Sequence, residues 1–527
     1  MTAETLLPEA PSWYDRLASR VRSDPRLARR LGWIVPLMIT AVAGILRLWN
    51  LGHPHAIVFD ETYYVKDAWS QWNLGYAATW PEEADAAFAA GDTDAYTDIG
   101  SFVVHPPLGK WIIGAGMALF GPDSSFGWRV GVALAGTAAV LVLYFVARAL
   151  SGSLAFAAVA SGLMAVDGLA ISMSRVALLD TPLMLFVLLA FWFALLDRAG
   201  HLDRLAAAVA ARRHHAGEPL FWGPVLWNRP WLIAAGTAAG AAAAVKWSGV
   251  WVLAAIGLYA VVTDALARRR LGVWQWPTDA VRQGAASFVL LVPVAAAVYL
   301  ASWTGWLVTE GGYGRHTADA SPAGGVWAWV PAALQSLWTY HQSMYASAAG
   351  MASPHGYASP AWQWPLLLRP TSMYAARTAD GEAGCAAANG CMDIIYSMPN
   401  PLVWWAAAAA TVYLVYRFVV RRGWRDAFVL TAIAATWVPW LFYPERTVFQ
   451  FYTVVILPFS LLALTLALQA IAAPPGGDPV RRRAGQRVVI VFLAVALLVS
   501  AFWYPLVSAV TVPYDFWRAH NWLPGWI

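Results

Sequence analysis

Eleven long apolar stretches constrain this chain more than any other feature. They run at 31–50, 127–149, 153–172, 177–197, 231–245, 247–264, 282–303, 402–420, 425–442, 451–473 and 487–510. Each of the longer ones can cross a hydrocarbon core about 30 Å thick as a helix. Between Trp231 and Asp264 the run is broken by Lys246-Trp247, which predicts two short helices meeting at the outer face. Only 12% of the 527 residues are charged, whereas a soluble domain carries about 25%. Most of the chain is therefore solvated by lipid. The expected fold class is an all-α polytopic membrane protein with about eleven transmembrane helices.

Charge sets the orientation. With the N-terminus cytoplasmic, 24 of the 35 basic residues fall on the inner side and 19 of the 30 acidic residues on the outer side. Reversing the topology would reverse this bias, against the positive-inside rule. The expectation is a cytoplasmic Arg-rich segment at 1–30, one transmembrane domain over 31–510, and an outer C-terminal tail at 511–527. The run from Leu31 to Trp49 continues past Ala41-Val42-Ala43, so it reads as an uncleaved anchor rather than a signal peptide. The net charge of +5 sits in short clusters between spans and shows no nucleic-acid module. Two outer segments are long, 51–126 and 303–401. Pro107–Phe120 in the first predicts an amphipathic helix along the membrane surface. Cys385 and Cys391, the only cysteines, lie in the second, where an oxidising outer compartment favours a disulfide. No set of metal ligands is apparent, and neither a metal nor a cofactor is expected.

Phe59-Asp60-Glu61 lies about ten residues past the first span. Two adjacent carboxylates in an aromatic setting suit general-base chemistry, although an ordinary acidic surface pair has the same residues. His105-Pro106-Pro107-Leu108-Gly109-Lys110 follows in the same loop. Lys110 is one of three lysines, placed where an interfacial ammonium reaches a lipid phosphate or snorkels. Arg129, Asp167, Arg175, Asp180, Lys246 and Arg446 then fall in or at the outer ends of spans. Ions at that depth usually face a cavity or a partner. An Arg175–Asp180 bridge is one such pairing; an anionic ligand is the other source of partners. A carboxylate facing cations matches displacement of a phosphate from a sugar carbon. A transporter would place its ions near the midplane of repeated halves, and no repeat is visible.

Phe59-Asp60-Glu61, the His105–Lys110 motif, Ser174-Arg175-Val176-Ala177-Leu178-Leu179-Asp180, Val245-Lys246-Trp247-Ser248-Gly249 and His355-Gly356-Tyr357-Ala358-Ser359-Pro360-Ala361-Trp362-Gln363-Trp364-Pro365 together resemble the protein O-mannosyltransferases. The likeness runs from about 45 to 510 and is strongest to actinobacterial members. It implies a GT-C glycosyltransferase fold in the plasma membrane with an extracytoplasmic site. It also implies inverting transfer of mannose from polyprenyl-phosphate mannose to Ser or Thr of secreted proteins, near the translocon. By that resemblance Asp60 is the catalytic acidic residue of the first outer loop, proposed as the general base, Glu61 supports the site and Arg129 contributes to the donor site. His105, Lys110, Arg175, Asp180, Lys246 and Arg446 are expected around the donor phosphate and sugar, and Tyr357, Trp362 and Trp364 beside the acceptor. A transferase that modifies a glycolipid or cell-wall glycan would share this chemistry. Segment 303–401 is too short for the β-trefoil domain of eukaryotic members.

Overall fold

A computed structural model describes residues 12–216, 220–472 and 477–526. Residues 1–11 of the expected N-terminal segment and residue 527 of the expected tail lie outside the described residues. The N-terminal half contains α1 (Trp13–Ser23), α2 (Pro25–Leu48), α3 (Glu61–Leu74), α4 (Ala84–Ala89), α5 (Leu108–Phe120), α6 (Ser125–Ser151), α7 (Leu154–Val166), α8 (Gly168–Ser172) and α9 (Asp180–Ala216). Next come α10 (Pro230–Val245), α11 (Ser248–Arg270), α12 (Trp276–Ser302), α13 (Thr304–Val308), α14 (Thr317–Ala320) and α15 (Ala332–Ala349). The chain closes with α16 (Pro401–Arg421), α17 (Trp424–Trp437), α18 (Leu457–Ile471), α19 (Pro479–Val507) and α20 (Tyr514–Arg518).

Among the described residues each of the eleven apolar stretches coincides largely with one or two of these helices, with Val438–Phe442 and Gln450–Val455 forming short 3-10 turns. Seven helices among the described residues are long and apolar enough to cross a membrane, and α5, α7, α10 and α18 are shorter apolar ones. Helix starts follow a repeated local device. Asp24, Asn400 and Asp478 each accept a backbone N–H of the first turn, and each precedes a proline at the first helical position. That proline has no N–H to leave orphaned. The break at Lys246 is real: its backbone is extended, with α10 ending before it and α11 starting two residues later. α9 packs between α6 and α10, α10 against α12, and α5 against α3 and α6.

The helical fold carries one small sheet. Strands β1 (Thr371–Thr378), β2 (Cys391–Ser397) and β3 (Val512–Pro513) form a small antiparallel sheet in the order β1-β2-β3. Thr371 pairs with Ser397 and Thr378 with Cys391, while Cys391 faces Pro513. The Cys385–Cys391 disulfide closes the β1–β2 connection. The C-terminal segment packs back onto the protein. Trp526 is buried, donates its indole N–H to Leu367 O at 2.7 Å and accepts from the Tyr396 hydroxyl at 2.5 Å. Such burial of an aromatic ring pins a terminus that would otherwise fray.

Candidate active site

The loop after α2 turns sharply at Phe59, whose φ of +47° lies in the left-handed region. That conformation costs an aromatic residue about 1–2 kcal/mol, and it persists because the ring is held edge-on by His355, Phe449 and Phe451. Strain of this kind tends to collect at functional sites. Here the turn starts α3 at the two adjacent carboxylates and sends them in different directions.

Glu61 points inward and is fully buried. Its Oε1 accepts from Arg129 Nε at 2.8 Å and from Ala177 N at 2.7 Å. Its Oε2 accepts from Arg129 Nη2 at 2.9 Å and from Val58 N at 3.0 Å. The other N–H groups of Arg129 go to the carbonyls of Leu51, Pro54 and Ala56. A guanidinium has five N–H groups, so Arg129 has none left for a donor phosphate. Instead it ties α6 to the loop that carries Asp60. This differs from the donor-site role expected of it.

Asp60 points the other way. It is half-buried, leads α3 and makes no side-chain capping bond. Burial raises its carboxyl to about pKa 6, with the Lys246 ammonium pulling it down and the Asp180 carboxylate pushing it up. Lys246 is in turn clamped by both oxygens of Asp180 at 2.9 and 2.8 Å and lies 5.0 Å from the Tyr452 ring centroid. Asp180 therefore pairs with Lys246, not with Arg175. The Arg175 guanidinium is buried among the carbonyls of Arg47, Trp49, Asn50 and Ser508. It knits the end of α2 to the end of α19. Lys110 is also buried and matched, by Asp67 at 3.1 Å. Gly109 before it allows that depth, because a Cβ there would meet Leu179 Cδ2 at 2.7 Å.

Lys246 opens onto a cavity of about 640 Å³, lined also by His105, Trp247, Tyr299, His341, Arg446 and Tyr452. His105 is pushed well below the ordinary imidazole range, first by burial and then by Lys246, Lys110 and Arg446. A neutral ring donates or accepts without adding charge. Arg446 is half-buried, with its guanidinium 5.3 Å from the Trp440 ring centroid. Among the described residues it has no carboxylate within ion-pair distance, and its buried Nε has no hydrogen-bond partner. Of the expected cations, Lys246 and Arg446 alone face this cavity among the described residues.

The acceptor candidates separate. Trp364 is buried and donates to Ser359 O at 2.8 Å, so it is part of the core. Trp362 is 61% exposed. Tyr357 is half-buried beside His355, under the Arg369 guanidinium. Sequence reading missed Tyr64, whose ring centroid lies 6.0 Å from that of His105, and the cavity-lining Tyr452, Tyr299 and His341. Tyr64 carried a signal, since it is four residues from Asp60 and such pairs share a helix face. The other three come from distant elements.

Comparison with known proteins places this geometry. A family model described as dolichyl-phosphate-mannose-protein mannosyltransferase matches residues 37–197. A second, the C-terminal four-transmembrane region of protein-O-mannosyltransferase, matches residues 333–526. The polyprenol-phosphate-mannose–protein mannosyltransferase of Mycobacterium tuberculosis is 33% identical over 95% of this chain and 93% of its own length. The protein of that name from Mycolicibacterium smegmatis is 32% identical over 95% and 94%. Among solved structures, the Saccharomyces cerevisiae Pmt1–Pmt2 complex bound to the sugar donor superposes with a TM-score of 0.68. That match is 15% identical and covers 94% of this chain and 92% of the yeast chain, which shows a shared GT-C fold. The chain therefore belongs to the protein O-mannosyltransferase family.

Proposed function

We propose that this protein transfers mannose, with inversion, from polyprenyl-phosphate mannose to Ser or Thr hydroxyls of secreted proteins. The reaction takes place on the outer face of the plasma membrane, as acceptors leave the translocon. The outward acidic and inward basic bias of the loops supports that sidedness. The names carried by the mycobacterial relatives support the donor and the acceptor class.

The observation that carries the chemistry is Asp60: an uncapped carboxyl raised by burial and within electrostatic reach of Asp180 and of Lys246, which lines the cavity. The acceptor oxygen forms a bond to the sugar's anomeric carbon while the carbon–oxygen bond to phosphate breaks. The hydroxyl proton goes to Asp60, and the bonding pair leaves with the phosphate. A base works best with a pKa near the operating pH. Arg446 and Lys246 face the departing phosphate, where cations lower the barrier by stabilising developing charge. Asp180 holds Lys246 in place and His105 serves as a neutral hydrogen-bonding wall.

Purified protein given polyprenyl-phosphate [¹⁴C]mannose should label a Ser/Thr/Pro-rich peptide. Label found only in lipid or glycan would move the acceptor assignment to a cell-wall transferase. Arg446→Gln should raise the donor KM about 10- to 100-fold, since hydrogen bonds to charged groups are worth about 1.5–3 kcal/mol. An unchanged donor KM would remove Arg446 from the phosphate site.

A further inference from the structure

From 320 to 368 the outer segment contains no Asp, Glu, Lys or Arg, a run of 49 residues between Asp319 and Arg369. A water-solvated loop of that length would carry about a dozen charges at the average frequency. Helix α15 sits at the centre of this run, and its surface divides into three stripes. Ser336, Leu337, Tyr340 and Met344 are buried against the rest of the protein. Thr339, Gln342 and Ser343, neutral and polar, are exposed. Leu334, Trp338 and Tyr345, spaced four and seven residues apart, form a second exposed stripe dominated by large hydrophobic and aromatic side chains, with Trp338 67% exposed and Gln342 at its polar edge. Trp327 and Trp329, just before the helix, are 63% and 78% exposed.

The geometry points to α15 as an in-plane helix embedded in the outer leaflet, with its Leu334–Trp338–Tyr345 stripe in lipid and its Thr339–Ser343 stripe in water. Exposed tryptophans are favoured at the lipid–water boundary, and an apolar stripe about a third of a turn from a polar one suits an interfacial helix whose remaining face packs on protein. Absence of charge is the further requirement, because an ion carried below the headgroups costs several kcal/mol. Tyr345, Ala348 and Ala349, which continue the apolar side, also line the 640 Å³ cavity. The mouth of that cavity on the α15 side therefore opens to lipid and not to water. A hydrogen-bonded chain holds the helix there. Trp247 Nε1–H donates to the Tyr299 hydroxyl at 2.9 Å, and that hydroxyl meets His341 Nε2 at 2.6 Å. His341 Nδ1 is 2.7 Å from Leu337 O, an acceptor, which fixes the proton on Nδ1 and leaves Nε2 to accept.

The test is site-directed nitroxide labelling of the full chain in liposomes, since both native cysteines are in a disulfide. Labels at Leu334→Cys, Trp338→Cys and Ala348→Cys should collide with O₂ as often as a label at Leu498→Cys, exposed on the apolar helix α19. They should be shielded from the water-soluble nickel complex NiEDDA. Labels at Thr339→Cys and Ser343→Cys should match exposed Asp92→Cys, with frequent NiEDDA collisions. NiEDDA accessibility of Leu334→Cys and Trp338→Cys equal to that of Asp92→Cys would overturn the embedding. Shielding of those two with NiEDDA access at Ala348→Cys would overturn the lipid-facing mouth. The outcome does not depend on mannosyl transfer, so it stands or falls apart from the assigned activity.

Discussion

Asp60→Asn protein is expected to fold, to bind the lipid-linked donor, and to transfer mannose roughly 10²- to 10⁴-fold more slowly, the usual contribution of a positioned base. It is also expected to be more stable than the parent at neutral pH. The carboxyl titrates near 6 in the folded protein and at 3.8 as a free side chain. A folded pKa above the unfolded one means that the folded state holds its proton more tightly. Below about pH 4 both states are protonated and the group is neutral toward folding. As pH rises through the window from 3.8 to about 6, the unfolded state ionises first, and stability falls to a plateau. Removing the charge should recover about 1–2 kcal/mol above pH 6, allowing for solvent screening at a half-buried site. No hydrogen bond is lost, because Asp60 makes no capping bond with its side chain. In parent protein kcat/KM should drop tenfold per pH unit below about 6. Thermal melting of both proteins across pH, beside transfer rates, checks each part. Retained transfer in the Asn variant would remove Asp60 as the base, and a lower melting temperature at neutral pH would remove the burial penalty.

What could be read from residues alone follows from the range of each interaction. The apolar stretches and the break at Lys246 depend on neighbours within a few turns, so composition and period were enough. The strands at 371–378 and 391–397 are as local, but they sit in a long outer loop, and β3 joins them from more than a hundred residues away. A two-residue strand has no pattern to read. Partner choice was the hidden part of the site. Expected depth in the membrane grouped Arg129, Arg175, Asp180 and Lys246, and depth says nothing about which carboxylate meets which cation. Asp180 took Lys246 from 66 residues away in preference to Arg175 on the adjoining turn. Arg175 found enough backbone carbonyls at the ends of α2 and α19 to need no counter-ion nearby.

The same limit left open how Glu61 supports the site, and its geometry suggests a clamping role that can be tested against a direct part in catalysis. Glu61 accepts four hydrogen bonds, two from Arg129 and one each from Val58 N and Ala177 N. Glu61→Gln replaces one acceptor oxygen by an NH₂ that faces donors and removes the counter-charge from a fully buried guanidinium. Breaking a buried pair from one side costs about 3–5 kcal/mol. Glu61→Gln and Arg129→Met should each lower melting by that order, with transfer lost through displacement of Asp60. The double variant should be less destabilised than the sum of the two, by a coupling of up to about 3 kcal/mol. Because the strained Phe59 turn is held from the other side by aromatic rings, the double variant should fold but not regain full transfer. If Glu61 only positions the loop, the pH midpoint of whatever transfer remains should still report Asp60. Unchanged melting in Glu61→Gln, together with a shifted pH midpoint, would instead make Glu61 a proton-transfer partner of Asp60. Additive losses in the double variant would mean that the pair does not clamp the loop at all.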